Sequence, residues 1–455
     1  MDNEVFTVKI EKLLYGGKSL AKVDGFPVFV DGGCPEDIAE IKILKRNKSY
    51  AIGQIVELKT PSPHRVKPFC SMHNVCGSCG LQYISYEEQL RQKQLIVQET
   101  ISKIYGENID VLPVKFPKNN KNYRHKVQYP ISQTKVSKRI IAGYYKKNSH
   151  ESINIKYCPV QPEILDELTE FIRNSASEFN ITGYDEKRHN GLLRHVVYRI
   201  SSFTGKILVT LVINSDKIDK NLNKFAEKLM TFENVSGVVA NFNTAKTNVI
   251  TGKRNICICG DDFIIEKIGD VQYKVSSGSF FQVNPQTAEI IFDTAKEMIK
   301  ANVENPVILD AYSGVSAFGL QMKDFAKEII CVEECKSSTD DAVFNVKLNN
   351  AENVTVINDD ASKTFGNFVK EGKKFDVVLL DPPRKGCSVE SLDYAAKLSS
   401  KLIVYVSCNP STLAKDMRYL KEKGFVPKYV QPADMFCHTP HIESVALLVK
   451  EQICF

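Results

Sequence analysis

No stretch of this sequence approaches the apolar length of a membrane span, and the opening MDNEVFTVKIEK lacks the hydrophobic centre of a secretory signal. These absences predict a cytoplasmic chain with no membrane partner. A strong charge bias is missing too. Sixty Lys+Arg against 54 Asp+Glu leave a net charge of +6, so any case for a polyanionic partner rests on local clusters. No internal repeat or low-complexity tract is present, and the thirteen cysteines are odd in number. Without a secretory signal they argue against a disulfide scaffold and for thiol chemistry, a metal site, or both.

What is present divides the 455 residues into three units, in keeping with a chain too long for one core. Residues 1–59 read as a small all-β unit: VFTVKI, GFPVFVD and IAEIKILKRNKSYAIGQIVEL are short strands separated by turn signals. Its Leu44–Tyr50 segment is a basic turn ending in an aromatic, suited to a phosphate and a base face. The proline-rich 60–68 is a linker. Residues 60–275 form a central α+β unit, with helices expected at 163–178 and 218–231 and a helix at 87–104 free to pack on the next unit. Its segments 118–129, 135–150 and 191–200 mix basic and aromatic residues and suit an RNA-facing surface.

Residues 276–455 change pattern. VILDAYSG, IICVEE, NVTVIND, FDVVLLDPP and KLIVYVSC are five short apolar runs separated by helical segments, which implies a mostly parallel, doubly wound α/β sheet. SVALLVK (444–450) is expected as a final edge strand. Ligands of such sheets cross the carboxyl ends of the strands. The first loop, Asp310 to Gly319, has Ser316 where a dinucleotide fingerprint needs its second glycine, so a pyrophosphate has a poor cradle. An acid, Glu333, ends the second strand, and Asn358-Asp359-Asp360 end the third. An acid for ribose hydroxyls without a phosphate loop fits S-adenosylmethionine better than a nicotinamide dinucleotide. Asp381 precedes two prolines that stiffen the loop at the seam between cofactor and target.

Cys408 ends the fifth run and Glu443 precedes the last strand. A methyl acceptor needing both a thiolate and a carboxylate is a pyrimidine attacked at C5. Thiolate addition to C6 makes an enolate, C5 accepts the methyl group, and a base removes the C5 proton before the thiol leaves. Cys408 is the expected nucleophile and Glu443 the expected base.

Cys70, Cys76 and Cys79 lie close in sequence, and Cys158 follows far behind in Tyr157-Cys158-Pro159. Four thiolates suit tetrahedral zinc or a [4Fe–4S] cluster. Three close cysteines with an asymmetric gap lean toward iron–sulfur, and spacing leaves both open. The motif is not the C-x3-C-x2-C of radical enzymes.

Assembled, these residues resemble the RNA (uracil-5)-methyltransferase family, in particular its bacterial 23S rRNA branch, over nearly the whole length. The resemblance implies a class I S-adenosylmethionine-dependent methyltransferase domain, an N-terminal OB-like barrel of the TRAM type, and a [4Fe–4S] cluster on Cys70, Cys76, Cys79 and Cys158. It implies cofactor contacts from Gln282 in Ser279-Phe280-Phe281-Gln282-Val283-Asn284, and from Tyr312, Glu333 and Asp381. Ser407-Cys408-Asn409-Pro410 matches the nucleophile motif and His441-Ile442-Glu443 the motif carrying the base. Ser313 and Ser316 depart from the family, which often has cysteine and glycine there, and Ala317 replaces a polar residue. The barrel favours 23S rRNA as partner, with the target base extruded, and a monomeric enzyme. Competing readings are a tRNA uracil-5 methyltransferase, an RNA cytosine-5 methyltransferase and a non-catalytic RNA-binding iron–sulfur protein.

Overall fold

The computed structural model describes residues 5–451. Three bodies follow one another and share their junctions. The first is a six-stranded sheet in the order Val5–Lys9, Ile38–Arg46, Ala51–Thr60, Phe26–Asp31, Ser19–Val23, Lys12–Leu13. Alternating residues such as Val8, Ile10, Val28, Val30 and Ile41 fill its interior, as the period of two requires. In the basic turn, Tyr50 stacks on Phe29 at 4.9 Å and the guanidinium of Arg46 lies over Phe26. One face of the Tyr50 ring is therefore used within the barrel itself.

The central body is a six-stranded sheet, ordered Arg254–Gly260, Val235–Phe242, Ile207–Ile213, Leu193–Ile200, Lys126–Gln133, Ile140–Ala142. Helices Ile164–Ala176 and Lys220–Leu229 pack on it through Leu165, Leu168, Ile172, Leu222, Phe225 and Leu229.

The third body carries an eight-stranded sheet: Val354–Asn358, Glu328–Glu333, Val307–Ala311, Phe375–Leu380, Ser399–Ser407, Glu443–Lys450, Phe425–Ala433, Asp110–Val111. The first five strands are mutually parallel. Both faces are covered, so consecutive residues feed different cores. Val377 and Leu379 point to one, Val378 and Leu380 to the other. Helix Pro285–Lys300 and the hairpin Phe263–Ile268/Val271–Ser276 fill the first core. Helices Tyr86–Tyr105 and Pro410–Glu422 fill the second, meeting through Val97, Ile101, Leu413, Met417 and Leu420.

Two features depart from the sequence reading. Strand Glu443–Lys450 is no edge: it runs antiparallel between Ser399–Ser407 and Phe425–Ala433. The neighbour that covers it, Phe425–Ala433, was missed because Pro427 and Pro432 read as strand breakers. Pro427 sits at a register irregularity, where a missing N–H costs least.

Candidate active site

The site begins with strand register. Ser407 pairs with Ser444 across the antiparallel ladder, so the next residue on each strand, Cys408 and Glu443, comes face to face as the ladder ends. Cys408 then leads through Asn409, whose side chain accepts from Ser411 N–H and caps helix Pro410–Glu422, with Pro410 at the first helical position. Strand, turn and helix hold the thiol at the carboxyl edge of the sheet.

The adjacent loop 381–387 is clamped onto that helix. Asn409 and Thr412 side chains donate to the Arg384 carbonyl at 3.2 and 3.4 Å, and the Asp416 carboxylate accepts from Cys387 N–H and the Tyr405 hydroxyl. This directs Arg384 at the site. Burial, then Glu443, pushes the Cys408 thiol up to about 11, while the Arg384 guanidinium and its hydrogen bond pull it down. Burial, then Asp381, raises Glu443 to about 8, again opposed by Arg384. Burial alone raises Asp381 to about 7. The buried Glu443, the half-buried Cys408 and Asp381 and the exposed Arg384 thus lie close enough that Asp381 and Arg384 act on Glu443, and Glu443 and Arg384 on Cys408. Arg384 was absent from the sequence reading, although its place after Asp381-Pro382-Pro383 was the signal that could have found it.

Tyr312, Glu333 and Asp381 lie on one edge for the same kind of reason. Ala311 pairs with both Val332 and Leu380, so the residues that follow leave neighbouring strands together. Glu333 ties the first loop down, its two oxygens accepting from Gly314 N–H at 2.9 Å and Cys335 N–H at 2.8 Å. Tyr312, Gly314 and Ser316 all have left-handed backbone, with φ of 61°, 56° and 61°. Such crowding of strained torsions is typical of a ligand-holding loop. Ser316 occupies a conformation that glycine adopts more readily than serine.

Gln282 sits on a separate segment joined to this edge. The Phe280 carbonyl is 4.0 Å from where a Cβ on Gly314 would lie, and His125 N–H donates to the Val283 carbonyl at 2.7 Å. Gln282 itself borders a small pocket with His125, Arg199, Glu266 and Phe281. Asn358 and Asp360 have local duties. Asn358 donates to the carbonyls of Glu333 and Glu334, and Asp360 caps helix Ala361–Lys370.

Cys70, Cys76, Cys79 and Cys158 line one pocket together with Met72, His73 and Tyr144. Burial, reinforced by the neighbouring sulfurs, raises Cys79 to about 11 and Cys158 to about 12, while Arg124 opposes the rise at Cys79. Among the described residues no three metal-ligating side chains converge on a single ion-sized point. The chemistry of the donor set, four thiols around one pocket, fits a group that binds sulfur at four separate corners.

The sheet, its switch point and the edge constellation define a class I S-adenosylmethionine-dependent methyltransferase fold behind a TRAM domain, the latter matched over residues 1–56. The chain belongs to the tRNA (uracil-5-)-methyltransferase family, which matches residues 85–451. It is 37% identical over 449 residues to an uncharacterized RNA methyltransferase of Oceanobacillus iheyensis, covering 98% of this chain and 96% of that one. A Bacillus cereus protein of the same description is 37% identical over 447 residues, 98% of this chain and 97% of its own. Among solved structures, the Pyrococcus abyssi tRNA (uracil-54, C5)-methyltransferase in complex with S-adenosyl-L-homocysteine superposes with a TM-score of 0.75 at 26% identity, over 97% of this chain and 99% of that one. No described helix is long and apolar enough to cross a membrane.

Proposed function

We propose that this protein transfers a methyl group from S-adenosylmethionine to C5 of a uridine in 23S rRNA. The observation that carries the reading is the register that sets Cys408 opposite Glu443, with Arg384 and Asp381 beside them. Gln282, Tyr312, Glu333 and Asp381 would hold the cofactor, which when bound supplies an electrophilic sulfonium methyl group. The protein's own groups do the rest. The Cys408 thiolate, favoured by the Arg384 guanidinium, adds to C6 of the ring and places electron density on C5. After methylation, the Glu443 carboxylate removes the C5 proton, the ring regains its double bond and Cys408 is released. Burial that holds Glu443 near 8 makes it a better base than an ordinary carboxylate.

A second substrate reading is a tRNA uridine. It is favoured by the likeness to the Pyrococcus abyssi tRNA enzyme, which extends over 97% of this chain and so includes the barrel. The barrel alone therefore does not separate rRNA from tRNA. Mass-spectrometric mapping of 5-methyluridine in rRNA and tRNA of a deletion strain decides. Loss from 23S rRNA supports the first reading, loss from tRNA alone the second, and loss from neither removes both.

We further propose that Cys70, Cys76, Cys79 and Cys158 hold a [4Fe–4S] cluster. The four thiols that line one pocket support this reading.

A further inference from the structure

The N-terminal barrel reaches the catalytic pocket through a single turn. Between Lys12–Leu13 and Ser19–Val23 the chain reverses over Leu14-Tyr15-Gly16-Gly17-Lys18, closed by Leu14 N–H to the Lys18 carbonyl at 2.7 Å and Gly17 N–H to the Leu14 carbonyl at 3.0 Å. Gly16 and Gly17 have φ of 92° and 87°. A Cβ at Gly17 would lie 3.1 Å from the ring of Pro440, so the turn abuts the segment that leads three residues later to Glu443. The other side is anchored too. Leu13 N–H donates to the Gln92 side chain at 2.9 Å, the Leu13 side chain is buried against Ile84 and Ile96, and Lys12 pairs with Glu99. This fixes Tyr15 between the barrel and the catalytic sheet.

Tyr15 does not belong to the barrel's core. It is 41% exposed and packs into none of the buried apolar clusters. Burial, then the charges of Cys408 and Glu443, raises its hydroxyl, and Arg384 opposes the rise. An aromatic face left open beside a nucleophile for a ring carbon has an evident use. A base pulled out of its stack loses neighbouring rings and gains from a protein ring in their place.

We propose that Tyr15 forms a wall of the catalytic pocket and stacks on the extruded pyrimidine, so that the barrel completes the active site as well as gripping RNA elsewhere. The proposal rests on the uracil-5 reading above. Because the ring face acts, Tyr15→Phe keeps function while Tyr15→Leu and Tyr15→Ala lose it.

Two assays on the full-length protein separate the outcomes. In the first, methyl incorporation from labelled S-adenosylmethionine is measured with total RNA from cells lacking 5-methyluridine. Tyr15→Leu lowers kcat/KM about 10-fold, the fold-change of roughly 1.4 kcal/mol of lost stacking, and Tyr15→Phe stays at the wild-type value. In the second, without RNA, peptide mass spectrometry follows iodoacetamide alkylation of Cys408, which speeds up severalfold in Tyr15→Ala and not in Tyr15→Phe. Melting temperatures check that the variants fold, and Tyr15→Leu serves if Tyr15→Ala does not. Wild-type kcat/KM in Tyr15→Leu, or an equal loss in Tyr15→Phe, overturns the stacking role. A wild-type enzyme that methylates no RNA sinks the uracil-5 reading instead, and unchanged alkylation in Tyr15→Ala then removes the wall as well.

Discussion

Ser407 and Ser444 are register partners on antiparallel strands, and Cys408 and Glu443 stand just past that rung. A shift of one residue would turn the thiol or the carboxylate to the opposite face. The juxtaposition of the proposed catalytic pair is thus fixed by backbone hydrogen bonding and by apolar strand residues such as Val404, Val406, Val445 and Leu447, which bury one face.

Replacing either member should split the reaction at a different point. Cys408→Ala is expected to abolish methyl transfer while leaving RNA affinity nearly unchanged in filter binding. Glu443→Gln should add to C6 and accept the methyl group but fail to release it, so a denaturation-resistant RNA–protein band accumulates. Full turnover by either variant would refute the assigned role.

The buried carboxyl gives a signed pH dependence. Glu443, raised to about 8, is protonated and useless as a base below that value, so release of the methylated adduct should speed up with pH to about 8 and then level off. Stability runs the other way. A folded value above the unfolded one favours the folded state at low pH, and that contribution is lost as pH rises from about 4.5 to about 8. Glu443→Gln escapes this loss, on the order of 4–5 kcal/mol by pH 8. Its melting temperature should exceed that of the wild type by a margin that widens from pH 5 to pH 8. A constant margin would contradict the burial argument.

The Arg384 guanidinium eases ionisation of the Cys408 thiol by charge and by hydrogen bond. Arg384→Met should move the pH midpoint of Cys408 alkylation upward by about one unit and slow transfer at neutral pH about tenfold. An unmoved midpoint would separate Arg384 from the nucleophile.

For the cysteine pocket, anaerobically purified protein should be brown and carry about four irons per chain. Cys158→Ala should lose iron and colour. Zinc in place of iron, or colour retained in that variant, would overturn the cluster.

Much of this was legible beforehand because motif and strand end coincide. Asp310, Glu333, Asp381 and Cys408 each close an apolar run, so their shared edge followed from the doubly wound pattern alone. Phe425–Ala433 was hidden by its prolines, and with it the interior place of the strand that begins at Glu443. Tyr15 was hidden for another reason. The groups whose charges act on its hydroxyl, Cys408, Arg384 and Glu443, lie hundreds of residues away in sequence. No local pattern encodes such a meeting, which the turn at Gly16-Gly17 and the ring of Pro440 produce only in three dimensions.

The placement of Glu443–Lys450 between two strands made earlier has a consequence for biosynthesis. A chain ending at residue 440 would lack the strand that pairs with both Ser399–Ser407 and Phe425–Ala433, and would carry the proposed nucleophile without its proposed base. The last strand completes both the sheet and the proposed catalytic pair, so a chain broken shortly before it is expected to be both unfinished and inert.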